Sequence, residues 1–75
     1  MSEYCIRYHV YNKKTNEIYL DVYNQKYVCT NYIESQNPVE AIRELNRLYI
    51  LSKGQLKPIK ILSIKKYNDY DNNSQ

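Results

Sequence analysis

"ESQNPVEAIRELNRLYILSKG", Glu34 to Gly54, decides the fold. Asn37 followed by Pro38 marks a helix start, because the Asn side chain accepts a first-turn N–H and Pro sits where that N–H would go unused. Glu40, at the third helical position, completes a capping box in which Asn37 replaces the usual Ser or Thr. Ala41, Ile42, Leu45, Leu48, Tyr49 and Ser52 then recur at helical spacing and predict a buried stripe. Glu40, Arg43, Glu44 and Arg47 fall outside it as i,i+3 pairs of opposite charge. The helix is predicted to end at Ser52 or Lys53, with Gly54, the sole glycine, in the left-handed position that follows a helix end.

Upstream of this helix the period changes from 3.6 to 2. Tyr4, Ile6, Tyr8 and Val10 alternate with Cys5, Arg7, His9 and Tyr11, so the first run is a strand with its even residues toward the core. The polar stretch "NKKTNE" turns the chain, and "IYLDVY" alternates again, with Ile18, Leu20 and Val22 against Tyr19, Asp21 and Tyr23. These two runs predict an antiparallel hairpin. Lys26 to Ile33, rich in Tyr, Val and Thr, reads as a third strand after a tight turn at Asn24 and Gln25, or as a bent continuation of the second.

Downstream, Pro58 blocks further helix, and Ile59 to Tyr67 is a strand of β-branched residues. It does not alternate cleanly: Ile59 and Ile61 share one face, Leu62 and Ile64 the other. Either the strand is central with both faces covered, or a bulge near Ile61 and Leu62 shifts the register. The expected fold is therefore α+β, a small antiparallel sheet with one helix packed on one face in the order β-β-β-α-β. Residues 1–68 form the domain, and the polar segment 69–75 frays.

At 75 residues the chain makes one thinly stabilised domain, burying about 60 to 65 percent of the surface its unfolded form exposes. It has ten tyrosines and neither Phe nor Trp, so the mean hydropathy of −0.79 understates how much apolar surface the interior holds. No apolar run reaches transmembrane length and no leader precedes the first strand, so a soluble, cytoplasmic protein without a membrane partner is expected. Cys5 and Cys29 are too few for a disulfide framework and read as reduced thiols, bridged only if two strands place them opposite each other.

No reaction chemistry assembles from these residues. His9 is the only histidine and stands four strand residues from Cys5, about 13 Å away, so the two do not share a metal. A single glycine excludes a phosphate loop. Pairing of His9 with a Cys5 or Cys29 nucleophile has no sequence signature behind it, and neither an enzyme, a metal nor a cofactor is expected.

Interface chemistry is better represented. Residues 45 to 68 carry six bases, Arg47, Lys53, Lys57, Lys60, Lys65 and Lys66, and no acid. On the odd face of the hairpin, Tyr11, Tyr19 and Tyr23 accompany Arg7, His9 and Asp21. Tyr4, Tyr8 and Tyr49 fall to the core. The candidate partner-binding residues are therefore Arg7, Tyr11, Tyr19, Tyr23, Lys57, Lys60, Lys65 and Lys66. Tyr with Arg is hot-spot composition for a protein interface, whereas tyrosines on a sheet beside lysines also suit the bases and phosphates of RNA or DNA. The plain alternative is ladder stabilisation between strands with solvated lysines. A larger protein is the expected partner, nucleic acid the alternative, and the chain itself is expected to be a monomer or homodimer.

Asn, Ile, Lys and Tyr, all with AT-rich codons, supply 35 of the 75 residues, which points to an AT-rich genome. In size, AT-biased composition, a single mixed α/β domain and lack of catalytic motifs across "KKTNEIYLDVYNQKYVCTNYIE" and the remainder, the chain resembles small phage-encoded anti-defence proteins of the anti-CRISPR type. That resemblance implies a non-enzymatic inhibitor that occupies a surface of a host defence or nucleic-acid-processing protein, and it implies no particular functional residues.

Overall fold

A computed structural model describes residues 1–52 and 54–69 of the chain. The elements are β1 (Ser2–Asn12), β2 (Glu17–Ile18), β3 (Val28–Ser35), α1 (Pro38–Leu51) and β4 (Leu56–Asp69), the expected order. All strand pairings are antiparallel and all involve β1. Because β3 and β4 both pair with Ser2–His9, they flank β1 on opposite sides. By the same reasoning β2, which shares Tyr11 and Asn12 with β4, lies in line with β3. Of the segment 69–75 expected to fray, Asp69 ends β4 opposite Ser2, while residues 70–75 and the place of Lys53 lie outside the described residues.

The even residues of β1 are the core. Tyr4, Ile6, Tyr8 and Val10 are buried with Ile33 of β3 and with Ala41 and Leu45 of α1, while Cys29, Tyr49, Leu56, Ile61 and Ile64 pack around them. The helix thus covers the even face. Its start and N-cap are as read, the Asn37 side chain accepting the Glu40 N–H at 2.9 Å, a contact worth about 1 kcal/mol, but the capping box is only half made, because the Glu40 carboxylate binds Arg43 instead of the Asn37 N–H. Ile42 and Tyr49 are only half-buried, and Leu48 and Ser52 are exposed. The true stripe is therefore narrower than the sequence period suggests, since one layer of three strands leaves the helix margins uncovered.

Gly54 does not take the left-handed conformation expected of it. Ser52 closes the helix instead: its N–H bonds the Leu48 carbonyl and its hydroxyl donates to the Tyr49 carbonyl and accepts from the Gly54 N–H. A side chain here satisfies groups that a left-handed glycine would otherwise serve.

The hairpin is shorter than its alternation. Only Glu17 and Ile18 form β2, and the chain then leaves the sheet until Val28. Asp21 causes the departure. Its carboxylate accepts the N–H groups of Tyr23 and Gln25 at 2.8 and 3.0 Å, and Asn24 adopts φ 63°. These are turn-forming habits of Asp and Asn that compete with ladder bonding. The excursion closes where the Tyr27 N–H bonds the Tyr19 carbonyl at 3.1 Å. β3 is a separate strand, as predicted, but it lies end to end with β2.

β4 breaks alternation because its register against β1 shifts three times, between Glu3 and Tyr4, Arg7 and Tyr8, and His9 and Val10. The expected bulge near Leu62 is the second of these. The alternative reading, a central strand, does not hold: β1 is the only strand paired with β4 among the described residues.

Tyr8 ties the layers together. Its ring meets Tyr49 edge-on with centroids 5.9 Å apart, and its hydroxyl donates to Asn31 Oδ1 and lies 2.7 Å from the Tyr49 hydroxyl. Burial above all, then this hydrogen bonding, pushes the Tyr8 phenol far above the ordinary tyrosine range, and burial also raises Tyr49. The fold therefore retains the neutral phenols. This stabilisation is complete below the unfolded value of about 10 and is lost as pH rises toward the folded values. In a tyrosinate absorbance titration, Tyr8 and Tyr49 are expected to ionise last and together with loss of the circular dichroism of the fold. Ionisation of all ten tyrosines in one reversible step, with the fold retained, would contradict this network.

Candidate functional site

The odd face of β1 has no helix over it. Antiparallel partners project to the same side, so register defines this face row by row. Cys5 stands with Tyr32 and Lys65, Arg7 with Thr30 and Ser63, His9 with Val28 and Lys60, and Tyr11 with Ile18 and Lys57. The four rows span about 20 Å at strand rise. Arg7, Lys60 and Lys65 are exposed and Lys57 is half-buried. None of these four cations makes an ion pair among the described residues, and the rows contain no carboxylate. Acidic residues begin one row further on, where Glu3 stands with Glu34 and Asn68.

Five of the eight predicted residues therefore meet: Arg7, Tyr11, Lys57, Lys60 and Lys65. Lys66 does not join them. It pairs with Tyr4, on the face that the helix covers, because successive strand residues project to opposite sides and its neighbour Lys65 stands in the Cys5 row. Tyr19 and Tyr23 are also separated from this face: Ile18, expected on the core side, stands opposite Tyr11, so alternation turns Tyr19 to the other side, and the turn at Asp21 carries Tyr23 away. Tyr19 packs edge-on against Tyr27 at 5.6 Å, and Tyr23 is 80% exposed with Val22 at the tip of the excursion.

Two tyrosines that sequence reading did not assign take their place. Tyr32 and Tyr67, from the strands on either side of β1, meet over Cys5 with ring centroids 5.0 Å apart, both more than half exposed. Only a small side chain on the central strand lets rings two strands apart touch. The interaction with Cys5, first of all, pushes the Tyr32 phenol up, and Lys65 stands in the same row across β1. The signal for Tyr32 was its parity relative to Cys5, readable once the register is known. For Tyr67 it was its place two residues after Lys65, which puts both on one side of β4; as the extra residue of a bulge it has no partner of its own on β1.

The thiols do not pair. Cys5 is on the uncovered face, whereas Cys29 stands opposite Tyr8 on the covered one, where burial raises its thiol above the ordinary range. The same separation parts Cys29 from His9. The face can therefore bind through charge, hydrogen bonding and aromatic or aliphatic contact: Val28 stands within it, and the bulge residues Ile59 and Leu62 remain 54% and 41% exposed on β4. No helix among the described residues is long and apolar enough to cross a membrane. Compared with known proteins, the chain matches no family model, no curated protein and no solved structure.

Proposed function

We propose that the protein is a non-enzymatic binding module whose uncovered sheet face occupies an acidic surface of a larger protein, as an inhibitor encoded by a phage or mobile element would. The observation that supports this reading most is the gathering of Arg7, Lys57, Lys60 and Lys65 on one uncovered face with no carboxylate among them. Rows of unpaired cations on a small domain repel one another, and a partner carboxylate relieves that repulsion. Exposed Val28, Ile59 and Leu62 favour a protein over a nucleic acid, because aliphatic groups add contact area to a protein interface and offer bases no stacking plane. The target class is a host defence or nucleic-acid-processing protein.

A second reading, a small RNA- or DNA-binding protein, is favoured by Tyr32 and Tyr67, whose exposed rings lie beside Lys65 and could stack single-stranded bases. One experiment separates the two. Tagged protein incubated with lysate of a low-GC bacterium is expected to retain a stoichiometric protein partner after nuclease treatment and to release it as salt is raised. Retention only of nucleic acid, or of proteins that nuclease sets free, would replace the first reading with the second. Recovery of neither would overturn both.

A further inference from the structure

The two long edges of the sheet are built differently. The β4 edge carries Lys57, Lys60, Lys65, Lys66 and Pro58 and is broken by three register shifts, all devices that prevent another strand from pairing there. The β3 edge, "VCTNYIES", has no Lys, no Pro and no register shift against β1 over its eight residues. Its only strand partner among the described residues is β1. An unguarded edge of this length is a template for main-chain pairing.

A groove runs beside that edge. Residues 32–36 form one wall, and Glu40, Glu44 and Leu48, successive i+4 positions on α1, form the other, enclosing about 570 Å³. Five strand residues correspond to about 17 Å of extended chain. Leu48 is the residue that the sequence period assigned to the core, and its 42% exposure is explained by its place in this wall.

We propose that the outer edge of β3 accepts an extended, lysine- or arginine-bearing segment of another protein as an added strand lying beside α1. Main-chain pairing supplies affinity and alternate side chains enter the groove, the strand-addition mode of peptide recognition. Charge selects the occupant. On the helix side Glu40 and Glu44, though held by Arg43 and Arg47, keep further lone pairs available to a donor, and on the uncovered side of the same seam Glu34, in the row of Glu3, has no ion pair among the described residues. A second copy of this chain fits less well, because its β3 has no cation and would bring another Glu34, Glu40 and Glu44 to the same seam. The proposal uses none of Arg7, Lys57, Lys60 or Lys65, so it stands or falls separately from the role of the basic face.

The test is titration of the folded protein with a labelled heptapeptide of Lys and Val that carries lysines on both faces of an extended strand. Saturable binding is expected, with amide shifts concentrated at residues 32–36 and along the Glu40, Glu44 and Leu48 side of α1. Of two peptides N-methylated at alternate positions in opposite phase, one is expected to bind about tenfold more weakly, since only one set of amides faces the edge. Glu34→Lys is expected to weaken the unmodified peptide about tenfold with an unchanged melting temperature. Three results would overturn the proposal. They are no binding at about millimolar peptide, equal binding by both methylated peptides, or a concentration-dependent dimer by light scattering whose formation shifts the β3 amides.

Discussion

Tyr8→Ala is expected to leave the protein largely unfolded, whereas Tyr8→Phe keeps the fold and costs about 1–2 kcal/mol. The difference follows from what each substitution removes. Tyr8 lies at the middle of β1 with 0% exposure, and its ring fills the space between the sheet and Tyr49. Truncating a buried aromatic to Ala costs about 3–5 kcal/mol. At about 0.05–0.15 kcal/mol per residue, a 75-residue chain has only about 4–11 kcal/mol in total. Phe preserves the ring but leaves Asn31 Oδ1 and the Tyr49 hydroxyl each short of one partner. Tyr49 is half-buried, so water partly replaces the lost hydroxyl and the cost stays moderate. Urea denaturation followed by circular dichroism measures both. A Phe variant as stable as the parent would show that the hydroxyl network contributes nothing; a Phe variant as damaged as the Ala variant would show that the network outweighs the packing.

Tyr8 also shows why this fold was partly legible. A tyrosine on the even face beside Ile6 and Val10 reads as core from alternation alone, and Asn37 with Pro38 fixes a helix start from local chemistry. Both signals act within a few residues, and both hold. What was not legible depends on pairing across the chain. Asp21 and Asn24 carry a turn inside a run that alternates well enough to pass for a strand, and the hydrogen bonds of the Asp21 carboxylate prevail over that pattern. Each bulge in β4 inverts the parity of the residues beyond it, so no single alternation runs from Lys57 to Lys65; grouping the lysines as one segment overrides the alternation that parts Lys66 from Lys65 and sets Tyr67 beside it. The basic face itself was anticipated as a property of a segment. Its organisation as rows comes from β1, whose Arg7 lies far from the lysines in sequence and next to them in register.

Reversing that face is expected to abolish capture of the protein partner. In Arg7→Glu with Lys60→Glu and Lys65→Glu, each substitution turns an attraction into a like-charge contact. At roughly 1–1.5 kcal/mol apiece the three together weaken binding by a hundredfold or more at physiological salt. The effect should be large because the interface is small: eleven residues of β1 flanked by two strands span roughly 36 by 14 Å, below the per-partner area of a standard complex. Stability should change little, since the side chains of Arg7, Lys60 and Lys65 are exposed and make no ion pair that the substitutions would break. The decisive control is Lys13→Glu with Lys14→Glu and Lys26→Glu, three exposed residues outside the four rows. Each reversal removes one positive charge and adds one negative charge, so both triple variants fall from a net +3 to −3. If the binding partner reads the face, only the first variant loses it, and the second retains affinity while associating more slowly. If both lose it equally, net charge alone steers the encounter and the rows assembled by β1 and β4 are not the binding surface.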